Sequence, residues 1–430
     1  MMILAAAFAV VCQPAVPGPA AQTPQRRVLV FPDLATRDVV VTKLGEVVKY
    51  LGPTGRTVSV PLSELLAILP AERTVSSGPG EMRDATGGGG GADTGEAGSL
   101  LMLASGEVIR GEPVWPEASS ESFGWRSDML GLLAVKLDTV LGWHQPSFAD
   151  WAWARPAGTG DTISLSNGDV VSGFLETVSA TALVIEVDRK KRSLDPAVVV
   201  SATVATPPKP GSGPMVFLSD GNALLIDGLG AGVGAGSTVT VMRQGQSLVL
   251  PADTVIAYAA SAGSLVSLAG LAGVTATPTG GRDWTPPIEV VDPGAPMGVS
   301  DVILPGPMEA QWVLPGNATR LSATLELDTA SRIWGDCVVT VTLVPAKGLS
   351  REVVKARLWE EVATATFIAD VDGGSTLRVR VDPGERGPVQ DRVVIRRPLI
   401  LVGTPPAGKT PNPSGEPKPV KPAATPSTSG

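Results

Sequence analysis

The residues best suited to chemistry in this chain are tryptophans and carboxylates. Trp312, Trp334 and Trp359 lie in the last third of the sequence together with Asp328 and Asp391. An indole face beside a carboxylate suits a sugar ring, because the aromatic plane takes the C–H face and the carboxylate takes the hydroxyls. Trp334 precedes Gly335 and Asp336 in a turn-forming sequence, so it is the member expected to stand in solvent. The competing reading is that these indoles fill a core or a strand edge. A second aromatic group, Trp143, His144, Phe148, Trp151 and Trp153, occupies a short segment of a chain that is only 4% aromatic. Trp143, His144, Trp151 and Trp153 could form a ligand platform. The segment falls between two repeats, however, and sealing that junction is the preferred reading.

Other chemistry has little material. One histidine and two cysteines in 430 residues cannot build a His/Cys metal centre or a histidine-based triad. No catalytic residue, metal ligand or cofactor is therefore assigned, although paired carboxylates could still make a glycosidase and a Ser-Lys pair a hydrolase. His144 has no nucleophile near it in sequence and reads as structural. Cys337, in the strand-like run Cys337-Val-Val-Thr-Val-Thr, reads as a small packed side chain.

Residues 230–235 spell Gly-x-Gly-x-x-Ala, but a β-patterned segment follows where a dinucleotide site needs a helix. A long hairpin loop is the better account. Asp370-Val-Asp372-Gly373-Gly374 lacks the further ligands of a calcium loop and reads as a β-turn. The net charge of −8, with no long basic run, argues against a nucleic-acid partner.

The elements that must position these residues are strands. Three segments share one register around a turn glycine: Leu101-Met-Leu103-Ala-Ser-Gly106, Ile163-Ser-Leu165-Ser-Asn-Gly168 and Val216-Phe-Leu218-Ser-Asp-Gly221. Apolar alternation broken by a Ser/Asn/Asp-Gly turn predicts a β-hairpin in each. Further strand pairs follow, and the units close on a one-turn element, as in Val60-Pro-Leu62-Ser-Glu-Leu65, Leu137-Asp-Thr-Val140 and Leu250-Pro-Ala-Asp-Thr-Val255. The fold class expected is all-β, with tandem small β-barrel-like repeats followed by a C-terminal, jelly-roll-like β-sandwich. The repeats weakly resemble SH3-like or Sm-like barrels.

The expected divisions are a degenerate first repeat at 22–75, a Gly-rich linker at 76–98, repeats at 99–155, 156–206 and 207–262, the sandwich at 263–402, and a Pro-rich disordered tail at 403–430. Residues 1–21 begin with an uncharged apolar run ending near Cys12 and continue into Gln13, Pro14 and small residues, as a removed signal peptide would. Lipid attachment at Cys12 stays open. No segment is apolar for long enough to cross a membrane as a helix.

Within 263–402 the order of motifs resembles the NPCBM family of carbohydrate-binding modules. Trp312-Val-Leu314 fits its aromatic-x-Leu strand, and Leu321-Ser-Ala323-Thr-Leu325-Glu326-Leu-Asp328 its next strand. The run Leu377-Arg-Val379-Arg-Val381-Asp382, with a glycine-containing loop leading to Asp391, fits the closing signature. The resemblance implies a β-sandwich and a secreted, periplasmic or cell-surface bacterial protein that binds a glycan or an envelope component without catalysis. Two other expectations are carried beside it. One is a surface scaffold that meets protein partners through the repeats, and the other is a divergent glycoside hydrolase using paired carboxylates.

Overall fold

The computed structural model describes residues 25–71, 98–144, 160–209, 211–231, 238–271, 273–292, 294–345 and 347–403. The expected leader, nearly all of the Gly-rich linker and the tail, and also Trp151 and Trp153, lie outside the described residues. Within them, every regular element is a strand or a one-turn 3₁₀ helix, so the chain is all-β.

The hairpin glycines sit where their spacing predicts. Gly106, Gly168 and Gly221 have φ of 89°, 89° and 91°, a left-handed conformation that side chains resist. Each closes the same turn, its N–H donating to the carbonyl of Leu103, Leu165 or Leu218 at 2.9, 2.9 and 3.0 Å. The strand before the turn pairs on one side with the strand after it and on the other with the unit's last strand. In the third unit, Asp161–Leu165 lies between Val170–Val178 and Val199–Thr203. In the first unit, Gln25–Val30 lies between Thr36–Lys43 and Ala67–Pro70. The 3₁₀ turns Leu62–Glu64, Leu137–Thr139 and Pro196–Val198 lead into the closing strands of the first three units.

The units join edge to edge, but not in chain order. The closing strand Val140–His144 of the second unit pairs with Val199–Thr203 of the third. The closing strand Val255–Ala259 of the fourth pairs with Ala67–Pro70 of the first. The second and fourth units meet at Ala223 and Val108, so the array runs third, second, fourth, first. Buried polar clasps reinforce this joint. Glu107, 6% exposed, accepts from Leu225 N at 3.1 Å and from Arg243 at 3.0 Å, and Asn222 Oδ1 accepts from Arg110 N at 2.7 Å. One apolar core, from Leu29 to Tyr258, runs through all four units.

The second unit also decides the fate of an aromatic cluster. Trp143 is 2% exposed and packs with Trp115 and Phe123 at centroid distances of 5.7 Å each. Trp143 and His144 pair with Ala202 and Ser201 of the third unit, and His144 is 7% exposed. A ligand platform at these two residues is thereby corrected: they fill the seam between units, where no ring face is left for a ligand.

After Ala260 the chain enters a two-sheet sandwich. One sheet orders Glu289–Val290, Val302–Pro305, Arg392–Val402, Ala318–Leu327 and Thr364–Asp370, with Leu265–Ser267 also on Arg392–Val402. The other orders Thr275–Pro278, Met308–Val313, Thr376–Pro383, Cys337–Val344 and Arg351–Leu358. Strict alternation in Cys337–Val344 buries Cys337, Val339, Val341 and Leu343 between the sheets. Burial pushes the Cys337 thiol up to about 12, which leaves it protonated and inert at neutral pH. A smaller apolar cluster, including Val28, Val30, Leu66 and Leu69 against Leu265, Leu399 and Leu401, seats the sandwich on the first unit.

Candidate functional site

Three loops converge at one end of the sandwich: 328–336, 359–363 and 384–391. Their grouping follows from register, because Leu327 pairs with Val393, Cys337 with both Pro383 and Leu358, and Glu326 with Thr364. A fourth segment, Gly306-Pro307, arrives beside them because Pro305 pairs with Arg392.

The 328–336 loop is built from its own sequence. The Asp328 side chain accepts from Ala330 N at 3.3 Å, capping the 3₁₀ turn Thr329–Ser331, and forms an ion pair with Arg392 at 2.8 Å. The N–H groups of Trp334 and Gly335 then donate to Ser331 O at 3.2 and 2.7 Å, closing the turn. Gly335 is needed there, since a Cβ would lie 2.9 Å from both Gln390 O and Ser331 O. From this turn the Trp334 side chain stands in solvent at 61% exposure.

Behind Trp334 lies a fixed polar lattice. Asp336 is fully buried and receives Arg357 in a two-point fork, Nε and Nη2 each at 2.8 Å, with Arg386 N at 3.2 Å. The Arg357 hydrogen bonds, outweighing burial, hold the Asp336 carboxyl below its usual range. Arg357 also donates to Glu385 at 2.8 Å, and its guanidinium lies 5.8 Å from the centre of the half-buried Trp359 ring. Arg386 donates to Ile333 O at 3.0 Å, tying the 384–391 loop to the residue before Trp334.

Asp391, adjacent to this lattice, has the opposite environment. It is 2% exposed, its Oδ1 accepts only a long bond from Asp336 N at 3.4 Å, and Oδ2 has no partner among the described residues. Burial pushes its carboxyl up to about 6, and the nearby Asp336 charge pushes the same way. Arg282 reaches the same end, donating to Gly306 O at 3.4 Å and Pro388 O at 3.3 Å. Two residues on, Trp284 is 68% exposed.

The expected site residues therefore divide. Asp328, Trp334, Trp359 and Asp391 share this end of the fold. Trp312 does not join them: it is 2% exposed, pairs with Leu377 and packs within the core, so its ring cannot take a ligand. Asp391 is present but buried, at 2% exposure. Sequence reasoning missed Asp336, Arg357, Arg386, Arg282 and Trp284. A signal existed for Arg357, because residues two apart on a strand share a face and Arg357 stands two before Trp359.

Compared with known families and with curated proteins, the chain matches none. Among solved structures it is similar to a CBM51 module from a Clostridium perfringens GH95 in complex with methyl-galactose. That likeness has 13% identity and a TM-score of 0.26, covering 32% of this chain and 99% of that one. It is also similar to the tandem CBM51 modules of a family 98 glycoside hydrolase from Streptococcus pneumoniae, at 10% identity and a TM-score of 0.26, covering 71% of this chain and 88% of that one. A third is the CBM22-1 xylan-binding domain of a Paenibacillus barcinonensis protein, at 14% identity and a TM-score of 0.21, covering 33% of this chain and 94% of that one. At such values nothing about ligand or activity transfers to this chain.

Proposed function

We propose that this is an exported, non-catalytic bacterial protein whose sandwich binds a glycan, or another hydroxyl-rich envelope component, at the loop end bearing Trp334. The carrying observation is the 61% exposed indole of Trp334, two residues from an Asp336–Arg357 pair that is held by four hydrogen bonds and is itself beside Trp359. A flat apolar ring near the accessible Arg357 and Glu385 side chains, with buried Asp336 holding Arg357 in place, suits a pyranose, which offers both a C–H face and hydroxyls. The order of motifs resembling NPCBM modules and the leader-like start support the same reading. Asp336 and Asp391, which lie together at this loop end, do not suit paired-carboxylate catalysis, because they expose 0% and 2% of their surface. Neither reaches a glycosidic oxygen in this conformation.

A glycan array probed with the full chain and with Trp334→Ala tests this. The full chain is the right reagent because Leu265, Leu399 and Leu401 of the sandwich are covered by the first unit. The expected result is one glycan class bound by the native chain and weakened about tenfold or more by the substitution. A folded native chain that binds nothing across a broad set overturns the sugar reading. A scaffold reading is favoured by the continuous core through all four units. A stable envelope partner captured without glycan affinity would support that alternative.

A further inference from the structure

The seam between the first and fourth units holds an open cavity of about 260 Å³. Its apolar wall includes Val41, Leu44 and Ile68, and its polar groups include Arg27, Lys43, Tyr258 and Asp253. Arg27 is the unusual member. It is 8% exposed, yet its three hydrogen-bond acceptors, Ile256 O at 2.6 Å, Val255 O at 2.9 Å and Gln25 Oε1, are all neutral. Two other well-covered guanidinium groups meet carboxylates: Arg243 pairs with Glu107, and Arg396 with Glu326 and Asp301. A guanidinium buried without a counter-charge is costly, and burial lowers the basicity of Arg27 accordingly.

Tyr258 is a second buried polar residue of the cavity wall. It is 5% exposed, burial raises its hydroxyl to about 12, and among the described residues no protein group hydrogen-bonds to that hydroxyl. Tyr258 lines the same cavity as Arg27. Lys43, exposed at the mouth, adds a second cation, and Asp253 offsets one charge. The cavity thus combines a buried cation, a hydroxyl donor, a net charge of one sign and an apolar wall at a junction of units, where ligand pockets commonly form.

We propose that this cavity binds a small organic carboxylate with a compact, ring-sized body, its carboxylate facing Arg27 and Lys43 and accepting from the Tyr258 hydroxyl. The single net positive charge suits a monoanion better than a phosphate dianion. This site is separate from the sandwich loops and does not rest on glycan binding.

Calorimetric titration of the full chain with benzoate and glucuronate tests it, with benzamide as the neutral counterpart and inorganic phosphate as the competing anion. Saturable binding of at least one carboxylate, absent for benzamide, is expected. Tyr258→Phe, which keeps the packed ring, should weaken binding about tenfold, and Lys43→Ala about threefold. Both should leave the melting temperature of the unliganded protein nearly unchanged, so a loss of binding is not a loss of fold. Arg27→Gln should abolish binding where it folds, and the two milder variants decide the matter where it does not. Three results would each overturn the proposal: no saturable carboxylate binding, equal binding of benzamide or preference for phosphate, or native affinity in both Tyr258→Phe and Lys43→Ala.

Discussion

Two aromatic groups in this chain look alike in sequence and end in opposite places. Trp115, Phe123 and Trp143 of the second unit pack ring against ring within 5.2 to 5.7 Å, and Trp143 exposes 2% of its surface. Trp284 and Trp334, at the loop end of the sandwich, expose 68% and 61%. What differs is the backbone beneath them: Phe123 and Trp143 lie on strands with a buried face, whereas Trp334 lies in a turn closed on Ser331. Clustered indoles on strands mark a seam to be filled, whereas an isolated indole in a glycine-bearing turn marks a face to be met.

The largest effect should come from breaking the seam. Trp143→Ala removes a ring shared by the aromatic cluster and the joint with the third unit, and should cost about 3–5 kcal/mol, read by denaturant unfolding. A cost below about 1 kcal/mol would mean that the seam is loosely packed and the contrast with the sandwich end is wrong. Next in size is the pH response of Asp391. Its folded carboxyl titrates at about 6, while unfolded aspartate titrates at about 4. A raised folded value means that the native state binds the extra proton. Stability from this group is therefore full below about pH 4 and is lost as pH rises through about 6, by up to about 2–3 kcal/mol. Asp391→Asn should flatten that slope and gain on the native chain above pH 6. An unchanged slope in the variant would show that Asp391 is not the group responsible.

The same contrast explains how much of the molecule the sequence discloses. Alternation and the turn glycines Gly106, Gly168 and Gly221 specify hairpins because their cause is local: a left-handed turn and a period of two. The order third, second, fourth, first does not show in the sequence, because it depends on which unpaired strand edges meet. Arg392–Val402 is also longer than its pattern suggests. Arg396, Arg397 and Pro398 read as an end, yet the strand continues through an irregularity opposite Ser322 and Thr324, with Arg397 at φ 45°. At the candidate site, Trp334 is legible from its turn. Asp336 is not, and Arg357 is only through its spacing from Trp359, because their importance lies in pairing across 21 residues of chain. Arg282 and Trp284 depend on a loop whose course only the assembled sandwich sets.

Smaller still should be the effect of Asp336→Asn. It keeps the shape of the carboxylate but removes the charge held by Arg357, and should cost about 1–3 kcal/mol. Because Asp336 titrates below its usual range when folded, its stabilisation is present above the unfolded aspartate value and is lost as pH falls. The deficit of the variant should therefore shrink in acid. Asp391 and Asp336 then carry pH slopes of opposite sign, and a double variant should be flatter than either single one. If the Asp336→Asn deficit stays constant down to pH 3, the Arg357 pair is not what fixes the loop.

The smallest change in stability should come from the residue with the largest proposed role in binding. Trp334→Ala removes a mostly solvated ring from a turn held by Ser331 and Gly335 main-chain bonds. Its cost in unfolding should stay within about 0.5 kcal/mol. Trp334→Phe should match native stability as well, yet keep part of any glycan affinity, because a smaller ring still offers a flat face to a pyranose. The pair of variants thus separates a platform from a packing residue: affinity falling from Trp to Phe to Ala at constant stability marks a platform. A stability loss from Trp334→Ala comparable to that of Trp143→Ala would instead place Trp334 with the seam residues and erase the distinction between the two aromatic groups.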